Sequence, residues 1–206
     1  MEIVEWLLQS DPAIRWQVMR DLTSEPSEIV AAERSRVARE GWGGELLNLQ
    51  ESDGRWDGGT YRPGWADESK SFFDAWTATH FSLQLLVDFG VDPRSPRVQE
   101  AIRRVADSVR WPAGDGLYFE GEVEPCINGI VVVIGAYFTQ PVDGIVDRLL
   151  GDQLPDGGWN CWAAFGATVS SFHTTICVWE GLAAWQRAVG ASPDVEAARP
   201  RGEGDL

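Results

Sequence analysis

LLNLQESDGRW, residues 46–56, and LLGDQLPDGGW, residues 149–159, are two copies of one pattern. Leu46, Gln50, Asp53, Gly54 and Trp56 return as Leu149, Gln153, Asp156, Gly157 and Trp159, at a constant offset of 103. One register kept at five positions marks a repeated supersecondary unit. A weaker copy falls between them, with Val105 and Val109 in the helix and Gly114-Asp115-Gly116 ahead of Leu117-Tyr118-Phe119. About three units are implied, each a short helix, a Gly/Trp loop and a longer helix starting near Phe72, Cys126 or Phe172. Such a unit cannot bury its apolar face alone and has to stack.

Outward from the repeat the pattern stays helical. Val98, Ile102, Val105 and Val109 are spaced 4, 3 and 4 apart, as are Val178, Leu182, Trp185 and Val189; each set forms one apolar stripe. The spacing predicts helices over 2–9, 12–21, 27–40, 44–51, 72–89, 96–109, 126–138, 142–151 and 170–189. Asp11-Pro12 and Ser95-Pro96 each put a capping side chain before a proline, whose missing N–H costs nothing in a first turn. Gly90 and Gly190 mark stops. Val131-Val132-Val133 lies in an apolar run with no partner strand and reads as buried helix. The expected fold is all-α in a single domain over 1–206, with N-terminal helices in 1–43 and about three repeats in 44–190. Residues 191–206 read as poorly ordered or as a truncated repeat. Ser192-Pro193-Asp194-Val195 echoes Ser95-Pro96-Arg97-Val98 but then meets Arg199-Pro200, where a helix cannot continue.

Charge narrows the function classes. The 206 residues carry 17 basic and 32 acidic side chains, a net charge of −15, and the pI is about 4.4. One basic residue is a lysine, Lys70, and the arginines are scattered, which argues against nucleic acid and anionic membrane surfaces as partners. The longest apolar run, Ile130 to Ile134, is far too short to span a bilayer, so an integral membrane protein is not expected. Met1 to Leu8 lacks a basic region followed by an apolar segment, and a cytoplasmic location is the expectation. Three widely spaced cysteines, Cys126, Cys161 and Cys177, do not make a disulfide framework and read as thiols or metal ligands.

The pattern Leu-x-x-x-Gln-x-x-x-Gly-x-Trp resembles the glutamine/tryptophan repeat of the terpenoid cyclases, the squalene–hopene and oxidosqualene cyclases. These share the α/α toroid with the β subunits of protein prenyltransferases. The resemblance covers about 44–190 and implies a partial α/α toroid of stacked helical hairpins with long Gly/Trp-rich loops. It implies an apolar, isoprenoid-like small-molecule ligand in a cavity lined by Trp56, Trp65, Trp76, Trp159, Trp162 and Phe165, with Asp74 at the same end. Gln would bond backbone groups at a helix end and Trp would cover the turn. Glu45 stands where the family has an aromatic residue, and the Asp-x-Asp-Asp proton donor of the cyclases is absent, so no catalytic residue is assigned.

The prenyltransferase branch binds zinc through an Asp-x-Cys pair and a later histidine. Glu124-Pro125-Cys126 resembles the pair and Phe172-His173-Thr174 the histidine segment. The resemblance implies Zn²⁺ on Glu124, Cys126 and His173; Cys161, on the intervening loop, would close a tetrahedron of carboxylate, thiolates and imidazole. The competing reading is buried thiols and a hydrogen-bonded histidine. Prenyl transfer also needs a cationic clamp, and Arg55, Arg62, Lys70, Arg110 and Arg148 are dispersed. A partial ring has apolar ends, which favours a homo-oligomer, while the resemblance implies a helical partner subunit. Two functions stay open: an isoprenoid-binding, zinc-dependent protein with transferase or lyase chemistry, and a non-catalytic helical-repeat module for protein interaction.

Overall fold

The structure, a computed structural model, describes residues 3–66 and 76–198. The chain is all-α, with two isolated β-bridges, Trp56–Gly59 and Arg110–Leu117, and no sheet among the described residues. It divides into two compact units, Met1–Val109 and Arg110–Leu206. No described helix is long and apolar enough to cross a membrane. Of the stretch 191–206, expected to be poorly ordered or truncated, Pro193–Ala197 is helical and 199–206 lie outside the described residues, as does the helix start near Phe72.

The first unit holds α1 (Ile3–Leu7), α2 (Pro12–Leu22), α3 (Ser27–Arg36), α4 (Gly41–Asn48), α5 (Thr79–Asp88) and α6 (Pro96–Ser108). Asp11 caps as expected, its Oδ1 accepting from Ala13 N at 2.8 Å. Its Oδ2 accepts from Trp42 N at 2.8 Å, so one carboxylate caps both α2 and α4. That second cap starts α4 at Gly41 rather than at 44. Gly41 has φ +58°, and a Cβ there would collide with the Asp11 carboxylate. At α6 the expected side-chain cap is absent: Ser95 contributes its carbonyl, bonded by Gln99 N at 2.9 Å, and its hydroxyl makes no cap bond. α5 begins at Thr79 because Ala78 is extended and the Thr79 hydroxyl is tied down. Thr79 Oγ1 donates to Gly59 O at 2.6 Å and accepts from Trp56 N at 3.2 Å.

The second unit holds α7 (Pro125–Tyr137), α8 (Asp143–Gly151), α9 (Phe172–Val189) and α10 (Pro193–Ala197), with single 3-10 turns at Tyr118–Glu120 and Ala163–Phe165. Val131-Val132-Val133 is helical, inside α7. Side chains such as Ile127, Val131, Ile134, Leu149, Val178 and Leu182 fill the core; each removes about 1.5–3 kcal/mol worth of apolar surface from water. α7 and α9 form the most extensive helix pairing among the described residues. They meet backbone to backbone: a Cβ on Gly181 would stand 3.0 Å from Gly129 Cα, and one on Gly129 would stand 2.5 Å from the Cys177 carbonyl carbon.

The two full repeats are built as the same bracket, once in each unit. Gln50 Nε2 donates to Gly54 O at 3.1 Å and Ala101 O at 2.9 Å, and Trp56 Nε1 to Leu46 O at 2.7 Å. Gln153 Nε2 donates to Gly157 O at 2.8 Å and Ala198 O at 2.6 Å, and Trp159 Nε1 to Leu149 O at 2.6 Å. The indole thereby satisfies a carbonyl near a helix end, and the amide clips the loop to the helix beyond it. The weaker middle copy is built differently. It has no glutamine, and Trp111 Nε1 donates to Tyr118 O at 2.9 Å while the two rings stack at 5.0 Å.

Candidate metal centre

Cys126 is placed by the first turn of α7. Glu124 is the N-cap and Pro125 the first helical residue, a position that suits proline because no N–H is needed there. The strap leading into the helix is pinned from three sides. Asn128 Oδ1 accepts from Glu122 N and its Nδ2 donates to Glu122 O, both at 2.7 Å. Arg148 donates to Glu122 O at 2.8 Å and Glu120 O at 2.7 Å. Glu122 Oε2 accepts from Glu124 N at 2.6 Å.

Cys161 arrives from the other side, on the loop that leaves the Trp159 bracket. Trp159 N donates to Thr175 Oγ1 at 3.0 Å, and Ser171 N donates to Trp159 O at 2.8 Å. Cys161 N donates to Thr174 Oγ1 at 3.4 Å, and that hydroxyl donates back to Cys161 Sγ at 3.4 Å. Ser171 caps α9 by accepting from Thr174 N, which fixes this turn.

The two sulfurs meet 2.9 Å apart and share a hydrogen bond. Cys126 Sγ donates to Glu124 Oε2 at 3.7 Å. Glu124, Cys126 and Cys161 each offer one ligand atom, all within 4.8 Å of one another, and this group could hold a metal ion. Cys126 is buried, Cys161 half-buried and Glu124 exposed, so the group opens to one side. The Cys161 thiol is drawn down to about 7, by its hydrogen-bonded contact with Cys126 and secondarily by the Thr174 hydroxyl, against the cost of burial. Cys126 is pushed up by its hydrogen-bonded contact with Cys161, with burial adding to the effect. A thiolate is the form that binds soft or borderline metals.

His173 is not part of this group. It is the second residue of α9 and exposed, and one residue later Thr174 is the buried side chain that faces Cys161. Successive helical residues diverge by about 100°, so the helix that presents Thr174 inward turns His173 outward. Cys177 lies on the same helix, half-buried, its thiol pushed up by burial, and is likewise outside the group.

Of the expected ligand-lining aromatics, Trp56 and Trp159 are corrected. Both are buried with their N–H groups on Leu46 and Leu149 carbonyls, so they brace helix ends and offer no surface to a ligand. In the first unit, Trp65 is exposed and donates to Asp57 Oδ2 at 3.2 Å, and Trp76 is exposed against Phe81 with centroids 5.0 Å apart. In the second unit, Trp162 and Phe165 follow Cys161 directly and are 68% and 80% exposed, their rings 5.5 Å apart. Asp74 lies outside the described residues. Thr174, Asn128 and Glu122, which orient the two cysteines, were not singled out by sequence; the signal available was Ser171 three residues before Thr174, an N-cap spacing.

A cleft of about 560 Å³ opens along α9 toward its C-terminal end. Val133, Trp179 and Ala183 give it an apolar floor, and Glu180, Gln186, Arg187 and Glu196 line the rest. Comparison with known protein families, with curated proteins and with solved structures finds no match to this chain.

Proposed function

We propose that the chain is a zinc-binding relative of the prenyltransferase and terpenoid-cyclase toroids that holds an apolar, isoprenoid-like ligand beside its metal. The observation that carries this reading is the convergence of Glu124 and Cys126, at the start of α7, and Cys161, from a loop, onto one point. Around zinc with sulfur ligands at about 2.3 Å, tetrahedral donors stand about 3.8 Å apart. The Cys126–Glu124 separation of 3.7 Å already fits that edge. The sulfur pair, at 2.9 Å, has to widen by about 0.9 Å to reach it. Three protein donors leave a fourth position for an exchangeable group, where zinc would lower the pKa of a thiol or water. The chain's own residues do the rest: Thr174 steadies the Cys161 thiolate, and Glu124 reaches inward from an exposed N-cap.

The apolar ligand is supported by the cleft over Val133, Trp179 and Ala183. Its floor on α9, Trp179 and Ala183, lies five to nine residues beyond Thr174, about 7–14 Å along the helix axis, a reach that suits an isoprenoid chain. The scattered arginines favour binding, or chemistry with a small leaving group, over diphosphate transfer. A second reading, a docking surface for a protein, is favoured by the exposure of Trp162, Phe165, Val169 and Phe172 on one stretch of loop and helix start.

Metal analysis and native mass spectrometry of chelator-free protein test the first reading, with cobalt substitution as the optical probe. One zinc per chain is expected, with thiolate-to-cobalt charge-transfer absorption that disappears in Cys126→Ser and Cys161→Ser. Glu124→Gln weakens the site, and His173→Ala changes affinity by less than about tenfold because three donors remain. Substoichiometric zinc together with no charge-transfer band refutes the metal reading. Farnesol failing to bind in native spectra removes the isoprenoid reading and favours the protein-docking one.

A further inference from the structure

We propose that Cys126 and Cys161 form a reversible disulfide, and that closing it expels the metal, making the centre a thiol–disulfide switch. The two sulfurs lie 2.9 Å apart without a bond between them. This separation falls between the two distances they would adopt in use: about 3.8 Å across a metal and about 2.05 Å in a disulfide. Either state is less than about 1 Å away, and each consumes both thiolates, so they exclude one another. The expulsion half rests on the zinc reading; the disulfide half does not.

The order of attack follows from exposure. Cys161 is half-buried on a loop whose next residue, Trp162, is largely exposed, whereas Cys126 is buried at the start of α7. With a low-molecular-weight disulfide such as glutathione disulfide as oxidant, the Cys161 thiolate attacks one of its sulfurs. The oxidant's S–S bond breaks, one thiolate leaves, and a mixed disulfide forms on Cys161. The Cys126 thiolate then attacks the Cys161 sulfur and expels the second thiolate. Two protein thiols are oxidised and one small disulfide is reduced to two thiols, which take up the two protons released. The mixed disulfide is short-lived because the resolving sulfur is already in contact. Cys177 sits apart on α9 and keeps its thiol.

The test uses the full chain, reduced and metal-free, equilibrated in mixtures of glutathione and its disulfide, then alkylated and mapped by mass spectrometry. The expected product has lost two hydrogens, links the Cys126 and Cys161 peptides, carries label on Cys177 and reverts with dithiothreitol. In zinc-loaded protein the metal slows oxidation by about tenfold or more, by mass action on the reduced form, and zinc appears in a chromogenic chelator one-for-one with disulfide. Both thiols staying free in an oxidising mixture, a mixed disulfide persisting on Cys161, or a link through Cys177 each overturns the inference. The two readings fail separately. Disulfide formation in a chain that never binds zinc removes the zinc reading and the expulsion with it, and stoichiometric zinc with no disulfide removes the switch alone.

Discussion

Gly129→Ala adds one methyl group at the place where the fold and the candidate metal centre depend on each other. The new Cβ would stand 2.5 Å from the Cys177 carbonyl carbon, whereas ordinary contact begins at 3.4 Å. The obstacle is backbone, so α7 and α9 must part by about 1 Å, and overpacking of this kind costs about 1–3 kcal/mol. Alanine returns about 1 kcal/mol of helix propensity, leaving a net loss of up to about 2 kcal/mol. Gly129 is three residues, about 4.5 Å along the axis, from Cys126. The displacement therefore reaches the sulfur and draws it from Cys161, and metal affinity falls by about tenfold. Gly144→Ala in α8 is the matched control, since a Cβ there meets nothing within 4 Å; it is neutral or stabilises by up to about 1 kcal/mol. Urea unfolding followed by circular dichroism and cobalt titration of both variants measure the two effects. Gly129→Ala with wild-type stability and wild-type cobalt binding would refute the claim that glycine contact sets the spacing of the centre.

Two further outcomes concern the units themselves. Burial lowers the pKa of His80, packed against Tyr61 and Phe81, from 6.5 to about 3. Because the folded value lies below the unfolded one, stability is whole above pH 6.5 and is lost as pH falls from there toward 3. Between pH 8 and pH 5 the loss is about 2 kcal/mol, and His80→Gln removes that part of the pH dependence; identical pH dependence of the urea midpoints in the two proteins would contradict it. Gln153→Ala leaves the Gly157 and Ala198 carbonyls without their donor and destabilises by about 1–3 kcal/mol. Asp152→Asn beside it stays within about 0.5 kcal/mol of wild type, and a comparable cost at both positions would mean that the bracket is incidental.

Much of the helical pattern was legible from residue spacing, because apolar stripes, Asp-Pro starts and Gly stops are local signals. The identity of the two brackets was legible too: a register of 103 residues survives only if Gln and Trp do the same work twice, and both do. Helix starts were less legible where the cap comes from afar. Asp11 reaches Trp42 across 31 residues, and the Thr79 hydroxyl holds Gly59 across 20; no local window contains either partner.

The centre divides the same way. The resemblance nominated Glu124, Cys126 and His173 as ligands and Trp56 and Trp159 as lining, and Cys161 joined them because a thiolate completes a zinc donor set. Tertiary structure decided which donors meet and which rings are spent. The α9 N-cap sets the rotation that turns Thr174 toward Cys161 and His173 toward solvent, and the close crossing at Gly129 and Gly181 sets the depth at which α7 sits. Residue type is a property of the chain, but the separation of Cys126 and Cys161 is a property of a helix and a loop packed together, and it is fixed only when both are in place.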